Sequence, residues 1–236
     1  QMLFFAHKVF DASIKTHLVV WGKKIYDYLP EHDYDPRLHY RALVVRRVPV
    51  TDREFIYRDF LTGSLYKLYR QGIDPYELGL APGLPLMHRF AETVFTPTEK
   101  SDDDDPLPHG EVLAAHPKEC GVTKAAFAQG RAFLSECGIT LVDFKAEAAG
   151  DVLADEWLTG DCCRMSLTAD IKEGVEPPWL DKEVFRQAAS KVWGSGPKVP
   201  LTFSDEVVRN GVARYHEAFE RIAGMPLSQF QKEFLD

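Results

Sequence analysis

The chain has 236 residues, a net charge of −8, and a composition that is 45% hydrophobic and 12% aromatic. That length suits one large domain or two lobes around a shared core, and the apolar content excludes a disordered chain. The acidic balance counts against a general nucleic-acid binder, although Arg41, Arg46, Arg47, Arg53 and Arg58 crowd one stretch and leave room for a local basic pocket.

Met2-Leu3-Phe4-Phe5-Ala6 is an apolar run closed by His7-Lys8. It is too short for a signal peptide or a membrane span and reads as a buried strand. Leu18, Trp21, Ile25 and Tyr28 recur at three- and four-residue steps, which predicts a helix from about Thr16 to Leu29 stopped by Pro30. Leu43 to Val48 and Glu54 to Phe60 read as strands joined through Thr51-Asp52-Arg53, and Gly63-Ser64 opens a short helix carrying Tyr66-Lys67. Residues 71 to 117 hold much of the proline and glycine and are expected as one long loop region. Within it, Asp102-Asp103-Asp104-Asp105 reads as a solvated turn.

A helix is expected from Thr123 to Cys137, ended by Gly138. Strands follow at Ile139–Ala146 and Val152–Glu156, joined by Ala148-Ala149-Gly150. The cysteines form no C-x-x-C pair: Cys162 and Cys163 are adjacent, and Cys120 and Cys137 stand apart. That spacing suits neither a disulfide framework nor a structural zinc, and a reducing, cytoplasmic setting is expected. Ser204 should cap a late helix whose stripe is Val208, Val212, Tyr215, Phe219 and Ile222, stopped by Gly224 and Pro226. This reads as a core helix without chemistry. His216-Glu217-Ala218-Phe219-Glu220 lacks the second histidine of a zinc-protease motif.

Three constellations carry chemistry. On a strand alternate side chains share a face, so Asp143, Lys145 and Glu147 should line one side, neighbours roughly 6–7 Å apart. Val142 and Phe144 should point together into the core. A buried strand rarely bears three charges on one face unless each is paired. The next strand returns Asp155 and Glu156, and hairpin geometry can set one of them beside Glu147, a set suited to Mg²⁺ and phosphate chemistry. A solvent-exposed charged hairpin edge is the plainer alternative. In the second constellation, Arg58 is delivered by a strand just before the helix start at Gly63-Ser64, where free N–H groups bind anions. The third, Thr159-Gly160-Asp161-Cys162-Cys163-Arg164, is a turn that carries Asp161 and Arg164 past the hairpin. Neither G-x-x-x-x-G-K-[ST] nor a strand-linked G-x-G-x-x-G occurs.

Taken in order, these segments resemble the SAICAR synthetase family. Its E-x-V-V-R-x-x-x-[T/A]-G-S signature stands here as Glu54-Phe55-Ile56-Tyr57-Arg58-Asp59-Phe60-Leu61-Thr62-Gly63-Ser64. Its V-D-x-K-x-E strand is Val142 to Glu147, and its L-x-D-E-x-x-T-x-D-x-x-R segment runs from Leu153 to Arg164. Weaker matches are Phe95-Thr96-Pro97-Thr98-Glu99-Lys100, Asp181-Lys182-Glu183-Val184-Phe185-Arg186, and the helix around Arg214-Tyr215.

The resemblance implies an α/β (α+β), two-lobed fold related to ATP-grasp and kinase-like architectures. It implies one domain over 1–236, a smaller ATP lobe up to a hinge near 45–50, and a larger substrate lobe over 51–236. The implied reaction uses ATP and Mg²⁺ to join a ribotide carboxylate to L-aspartate in purine biosynthesis, through an acyl phosphate. No nucleic acid or membrane partner is implied, and a homodimer stays open.

Carried over residue by residue, the catalytic groups are Lys145, Asp143 and Arg164. Substrate is held by Arg58, Gly63, Ser64, Arg164 and Arg186. The nucleotide meets Val45, Arg46, Arg47, Val48 and Asp155, and the metal meets Glu147 and Asp155. The chain departs from the family pattern in several places. It begins past the family's glycine-rich lysine hairpin, which is expected to be absent from it. Ala6 to Ser13 replace D-R-x-S-A-x-D, Lys15-Thr16 replace K-G, Ala148-Ala149 follow Glu147 in place of F-G, and no H-D-E stands around Pro108-His109-Gly110-Glu111. These departures keep two alternatives open: a paralogue ligating another carboxylate or amine, and a nucleotide-binding protein without turnover.

Overall fold

The computed structural model describes residues 1–101, 104–194, 196 and 199–236. A helical turn, α1 (Met2–Phe4), runs into a π-helical turn at Phe5–Val9. Strands β1 (Lys15–Thr16) and β2 (Leu18–Trp21), a 3-10 stretch at Gly22–Tyr28 and β3 (Leu43–Val45) follow. The chain continues through β4 (Arg53–Phe60), α2 (Gly63–Arg70), β5 (Arg89–Phe95), β6 (Thr98–Glu99), α3 (His109–Ala115) and α4 (Pro117–Glu136). It ends through β7 (Ile139–Ala149), β8 (Val152–Ala154), β9 (Cys163–Leu167), α5 (Glu183–Trp193), α6 (Asp205–Ala223) and α7 (Leu227–Phe234).

Among the described residues, seven strands form one sheet in which β7 and β4 are central. β7 pairs antiparallel with β4 on one edge, and with β9 and then β8 on the other. β4 takes β5 and β6 on its far edge, and β1 adds to β8 in parallel. β2 and β3 make a separate two-stranded ribbon. One face of the sheet is covered by α4, where Tyr57, Phe127 and Phe144 stack in sequence with centroids 5.9 and 6.3 Å apart. Strand alternation therefore leaves Glu54, Arg58, Lys145, Glu147 and Arg164 on the opposite face.

Several expectations need correction. Met2–Ala6 is helical, because that geometry sets Phe4 and Phe5 together against Phe133 of α4, at 5.5 and 5.9 Å, where a strand would split them between two faces. The expected helix over 16–29 is two strands and a 3-10 stretch. Leu18–Trp21 pairs with Leu43–Val45, which suits the β-branched Val19 and Val20. Gly22, at φ +60°, then turns the chain where a Cβ would sit 2.5 Å from the Leu235 carbonyl oxygen.

The strand expected to reach Val48 ends at Val45, and the one expected to reach Glu156 ends at Ala154. The region 71–117 is not one loop, since it contains β5, β6 and α3. Both strands lie on the far edge of β4, β6 with one further bridge from Thr98 to Pro106, so neither shows a clean alternation. α4 starts at Pro117, six residues before Thr123, with proline in its first turn, where the missing N–H costs nothing. A register shift between Leu141 and Asp143 separates two side chains expected to point together: Phe144 joins the main core, and Val142 packs with Phe60, Met87 and Trp179. In α6, Ser204 caps Val207 N–H as expected, but Val208 and Val212 are exposed, so of the stripe only Phe219 and Ile222 are buried. Of the four aspartates, Asp102 and Asp103 lie outside the described residues; Asp104 is exposed.

Candidate active site

The charged face of the sheet is built around Asp143. Its carboxylate oxygen Oδ2 accepts from Arg58 Nη1 at 2.7 Å and from Arg164 Nη1 at 2.6 Å, and Oδ1 accepts from the Arg164 backbone N–H at 3.2 Å. Burial would push the Asp143 carboxyl up, but Arg164 and Arg58 outweigh it and hold it below the usual carboxylate range. Arg58 is buried and further fixed by Thr96 Oγ1 at 2.8 Å and Ser64 Oγ at 3.2 Å. Gly63 opens α2 at φ +60°, and a Cβ there would stand 2.7 Å from the Arg164 guanidinium. Arg58, Gly63, Ser64, Asp143 and Arg164, distant in sequence, thus share one wall. Two guanidiniums beside the N–H groups of a helix start make an anion cradle.

Two residues along β7 the character changes. Lys145 forms an ion pair with Glu54, a buried acid whose second oxygen accepts from Thr98 Oγ1 at 2.8 Å. Burial opposes the ammonium form of Lys145, but the hydrogen bond and charge of Glu54 prevail and raise its pKa. Two residues further, Glu147 is buried and receives Lys100 Nζ at 2.5 Å. This face is not the plain solvent-exposed hairpin edge, because its acids are buried and each carries a cationic partner.

Glu147 pairs across the hairpin with Ala154, so Asp155 comes next along the neighbouring strand, exposed and at φ +55°. His17 joins this end to the segment 45–48. Arg46 N–H donates to the His17 carbonyl at 2.7 Å, His17 N–H donates to Leu153 O at 3.1 Å, and the His17 ring lies near enough to Asp155 to feel its charge. Val45 is exposed at the end of β3, Arg47 is exposed, and Val48 O accepts from Val50 N–H at 3.0 Å. Among the described residues no three His, Cys, Asp or Glu side chains form a ready metal cage.

α5 closes the other side. Glu183 is buried and pairs with Arg186 and, at 3.8 Å, with Arg164 Nε. Asp181 accepts from Glu183 N–H and Met165 N–H, both at 2.8 Å, and burial raises its carboxyl to about 7. Arg186 is half exposed and lies one ion pair away from the cradle, not within it. Asp161 is exposed and accepts from Tyr215 OH at 2.9 Å.

The SAICAR synthetase family model matches residues 2–200. The chain belongs to the SAICAR synthetase family. Membership makes it an ATP-dependent ligase of purine biosynthesis. The phosphoribosylaminoimidazole-succinocarboxamide synthase of Actinobacillus succinogenes is 33% identical over 215 residues, covering 84% of this chain and 74% of its own length. The SAICAR synthase of Saccharomyces cerevisiae, solved in complex with SAICAR, superposes with a TM-score of 0.76 over 95% of this chain and 78% of its own, at 24% identity. A type-2 SAICAR synthetase solved in complex with ADP matches with a TM-score of 0.55 at 23% identity, over 90% and 73% of the two chains. These two structural likenesses bear on the fold, which is the mixed α/β arrangement expected for a SAICAR synthetase. No helix among the described residues is long and apolar enough to cross a membrane.

Sequence reasoning gave no role to Glu54, Thr96, Thr98, Lys100, His17, Asp181 or Glu183. All of these except His17 stood inside matched SAICAR synthetase motifs, so a signal was present. Only the pairing of β4 with β6 and β7 reveals that Glu54 meets Lys145.

Proposed function

We propose that this chain joins the carboxylate of carboxyaminoimidazole ribotide to the amine of L-aspartate, giving SAICAR, with ATP converted to ADP and phosphate. The observation that carries this reading is the gradient along β7: a two-arginine cradle at Asp143, a lysine at 145 and a buried carboxylate at 147. The relatives bound to SAICAR and to ADP lend it support from outside the chain.

A carboxylate is a poor electrophile. Transfer of the ATP γ-phosphoryl group to a carboxylate oxygen makes an acyl phosphate. The amine nitrogen then attacks its carbonyl carbon, the C–O bond to phosphate breaks with its electron pair, and the amine sheds a proton. In this scheme Arg58, Ser64 and the α2 start at Gly63 hold the ribotide's anionic groups. Arg164 orients the reacting carboxylate, with Asp143 keeping both guanidiniums fixed. Lys145 stands between carboxylate and nucleotide and offsets charge in phosphoryl transfer. The backbone of Val45, Arg46, Arg47 and Val48 reads adenine at the hinge between an ATP lobe and the substrate lobe 51–236, and Arg186 meets the amino acid. Glu147 and Asp155 would hold Mg²⁺: two hard carboxylate donors fit an ion that takes one or two carboxylates beside nucleotide phosphates. When bound, it supplies neutralisation of phosphate charge. A cytoplasmic setting agrees with four unpaired cysteines.

The test is ADP release by the purified chain. Release is expected only when a ribotide carboxylate and an amino-acid amine are both present, with aspartate the effective amine. Ala148-Ala149 after Glu147 favours a second reading, a ligase for another amine, which release with glycine, alanine or glutamate but not aspartate would support. ADP formation without any amine would leave the ligase reading without support.

A further inference from the structure

We propose that the cleft beneath the looped-out part of β5 is a second ligand site, for a small phosphorylated metabolite held by Arg89, Lys124 and Arg131. It lies on the α4 side of the sheet, behind the active site. Asp59 forms part of its lining, and its neighbour Arg58 belongs to the opposite face.

The opening comes from register. Arg58 pairs with Val94 and Phe60 with Arg89, so one residue of β4 faces four of β5, residues 90–93. Four minus one leaves three surplus residues, which bow out from the sheet edge over a cleft of about 580 Å³. A cleft of this size takes a ligand considerably larger than a bare ion.

The lining has the chemistry of an anion site. Asp59 is buried and accepts from Thr93 Oγ1 at 2.6 Å and from Arg131 Nη1 at 2.9 and 3.1 Å. Arg131 Nη1 also reaches Thr93 Oγ1 at 3.0 Å, so every side-chain bond of that guanidinium leaves from one nitrogen. Its Nε and Nη2 have no partner among the described residues. Rings steady both guanidiniums: Arg131 lies 5.3 Å from the Phe127 centroid and Arg89 lies 5.9 Å from that of Phe60. Among the described residues neither Arg89 nor Lys124 pairs with a carboxylate. With Asp59 engaged by Arg131, Glu92 alone offsets these two cations. Two guanidinium forks and an ammonium suit phosphate oxygens, and Phe90 supplies an apolar wall for the rest of the molecule.

The test uses the full chain labelled with ¹⁵N and titrated with inorganic phosphate, then with adenosine monophosphate. The amides of residues 90–93 are expected to shift saturably, with adenosine monophosphate the tighter probe. In the double variant Arg89→Gln/Lys124→Gln the affinity read at these amides should fall at least tenfold. Both side chains are exposed, so the fold should persist, and a thermal melt checks this. Lys124→Glu, a charge reversal, should abolish the response by itself. Arg58→Gln should leave it in place. A response that is absent, fails to saturate, keeps its affinity in the double variant or disappears with Arg58→Gln would overturn the proposal.

Discussion

At Gly63 backbone and side-chain constraints coincide. The residue needs a left-handed φ of +60°, and its missing Cβ is the space occupied by the Arg164 guanidinium. Gly63→Ala should cost about 1–3 kcal/mol through backbone strain. It should also push Arg164 off Asp143. We expect a lower melting temperature together with a KM for the carboxylate substrate that rises more than the KM for ATP; an unchanged ratio of the two would separate Gly63 from the cradle. Arg58 makes a related case. Its three side-chain bonds, to Thr96, Asp143 and Ser64, leave from three different nitrogens, which a lysine ammonium cannot reproduce. Arg58→Lys should therefore keep the charge yet raise the ribotide KM about 10- to 100-fold, the equivalent of losing one charge-assisted bond. Near-normal KM in that variant would mean that charge alone matters there.

At the scale of elements, the junctions of α5 decide two further outcomes. Gly211 of α6 faces Phe185 of α5, where a Cβ would come within 2.1 Å of the ring. In an isolated helix alanine is favoured over glycine by about 1 kcal/mol. Here overpacking should reverse the sign, so Gly211→Ala should destabilise by about 1–3 kcal/mol, and Phe185→Leu should restore part of the loss in a urea titration. The other junction is Asp181, which ties the start of α5 to β9 through Glu183 and Met165 N–H. Burial raises its folded pKa to about 7 from 3.8, so the chain binds more protons folded than unfolded in that window. The stability it confers is complete below the unfolded value and is lost as pH rises through about 7. The unfolding free energy of the native chain minus that of Asp181→Asn should therefore shrink from about pH 4 to about pH 7.5, by on the order of 1–4 kcal/mol. A difference constant with pH would refute the titration.

The same elements show what a sequence can disclose. Glu54–Phe60 and the strand from Ile139 were legible because a strand between a helix and a charged face writes its environment as alternation. Residues 16–29 were misread because four apolar positions fit a helical period as well as a strand followed by 3-10 turns, and the deciding partner, Leu43–Val45, is distant in sequence. β5 and β6 were invisible because edge pairing to β4 imposes no pattern on them. In the site, Arg58 stood out by its place before the Gly63-Ser64 helix start, Lys145 by the row of charges on one strand face, and Arg164 by the turn past the hairpin. Two of their partners, Glu54 for Lys145 and Glu183 for Arg164, stood inside matched motifs but showed no role until the fold brought each acid against its cation.

On the scale of the whole molecule, β7 acts as a ruler. Asp143 and Glu147 are four residues apart on one strand, so their α-carbons are separated by roughly 13 Å. One end meets the two-arginine cradle, and the other meets Lys100, Asp155 and, through His17, the segment 45–48. Perturbations at sites this far apart, without shared partners, should act independently. Glu147→Gln removes a carboxylate charge from the end proposed to face the nucleotide and should weaken Mg-ATP binding about tenfold, the scale of one charge-assisted interaction, while leaving ribotide affinity unchanged. Arg58→Gln should do the converse. The double variant should show both losses, adding to within about 0.5 kcal/mol when each ligand is titrated by calorimetry. If Arg58→Gln weakened Mg-ATP as much as ribotide, or if Glu147→Gln left Mg-ATP affinity untouched, the two ends of β7 would not serve two ligands, and the division of labour along this strand would have to be abandoned.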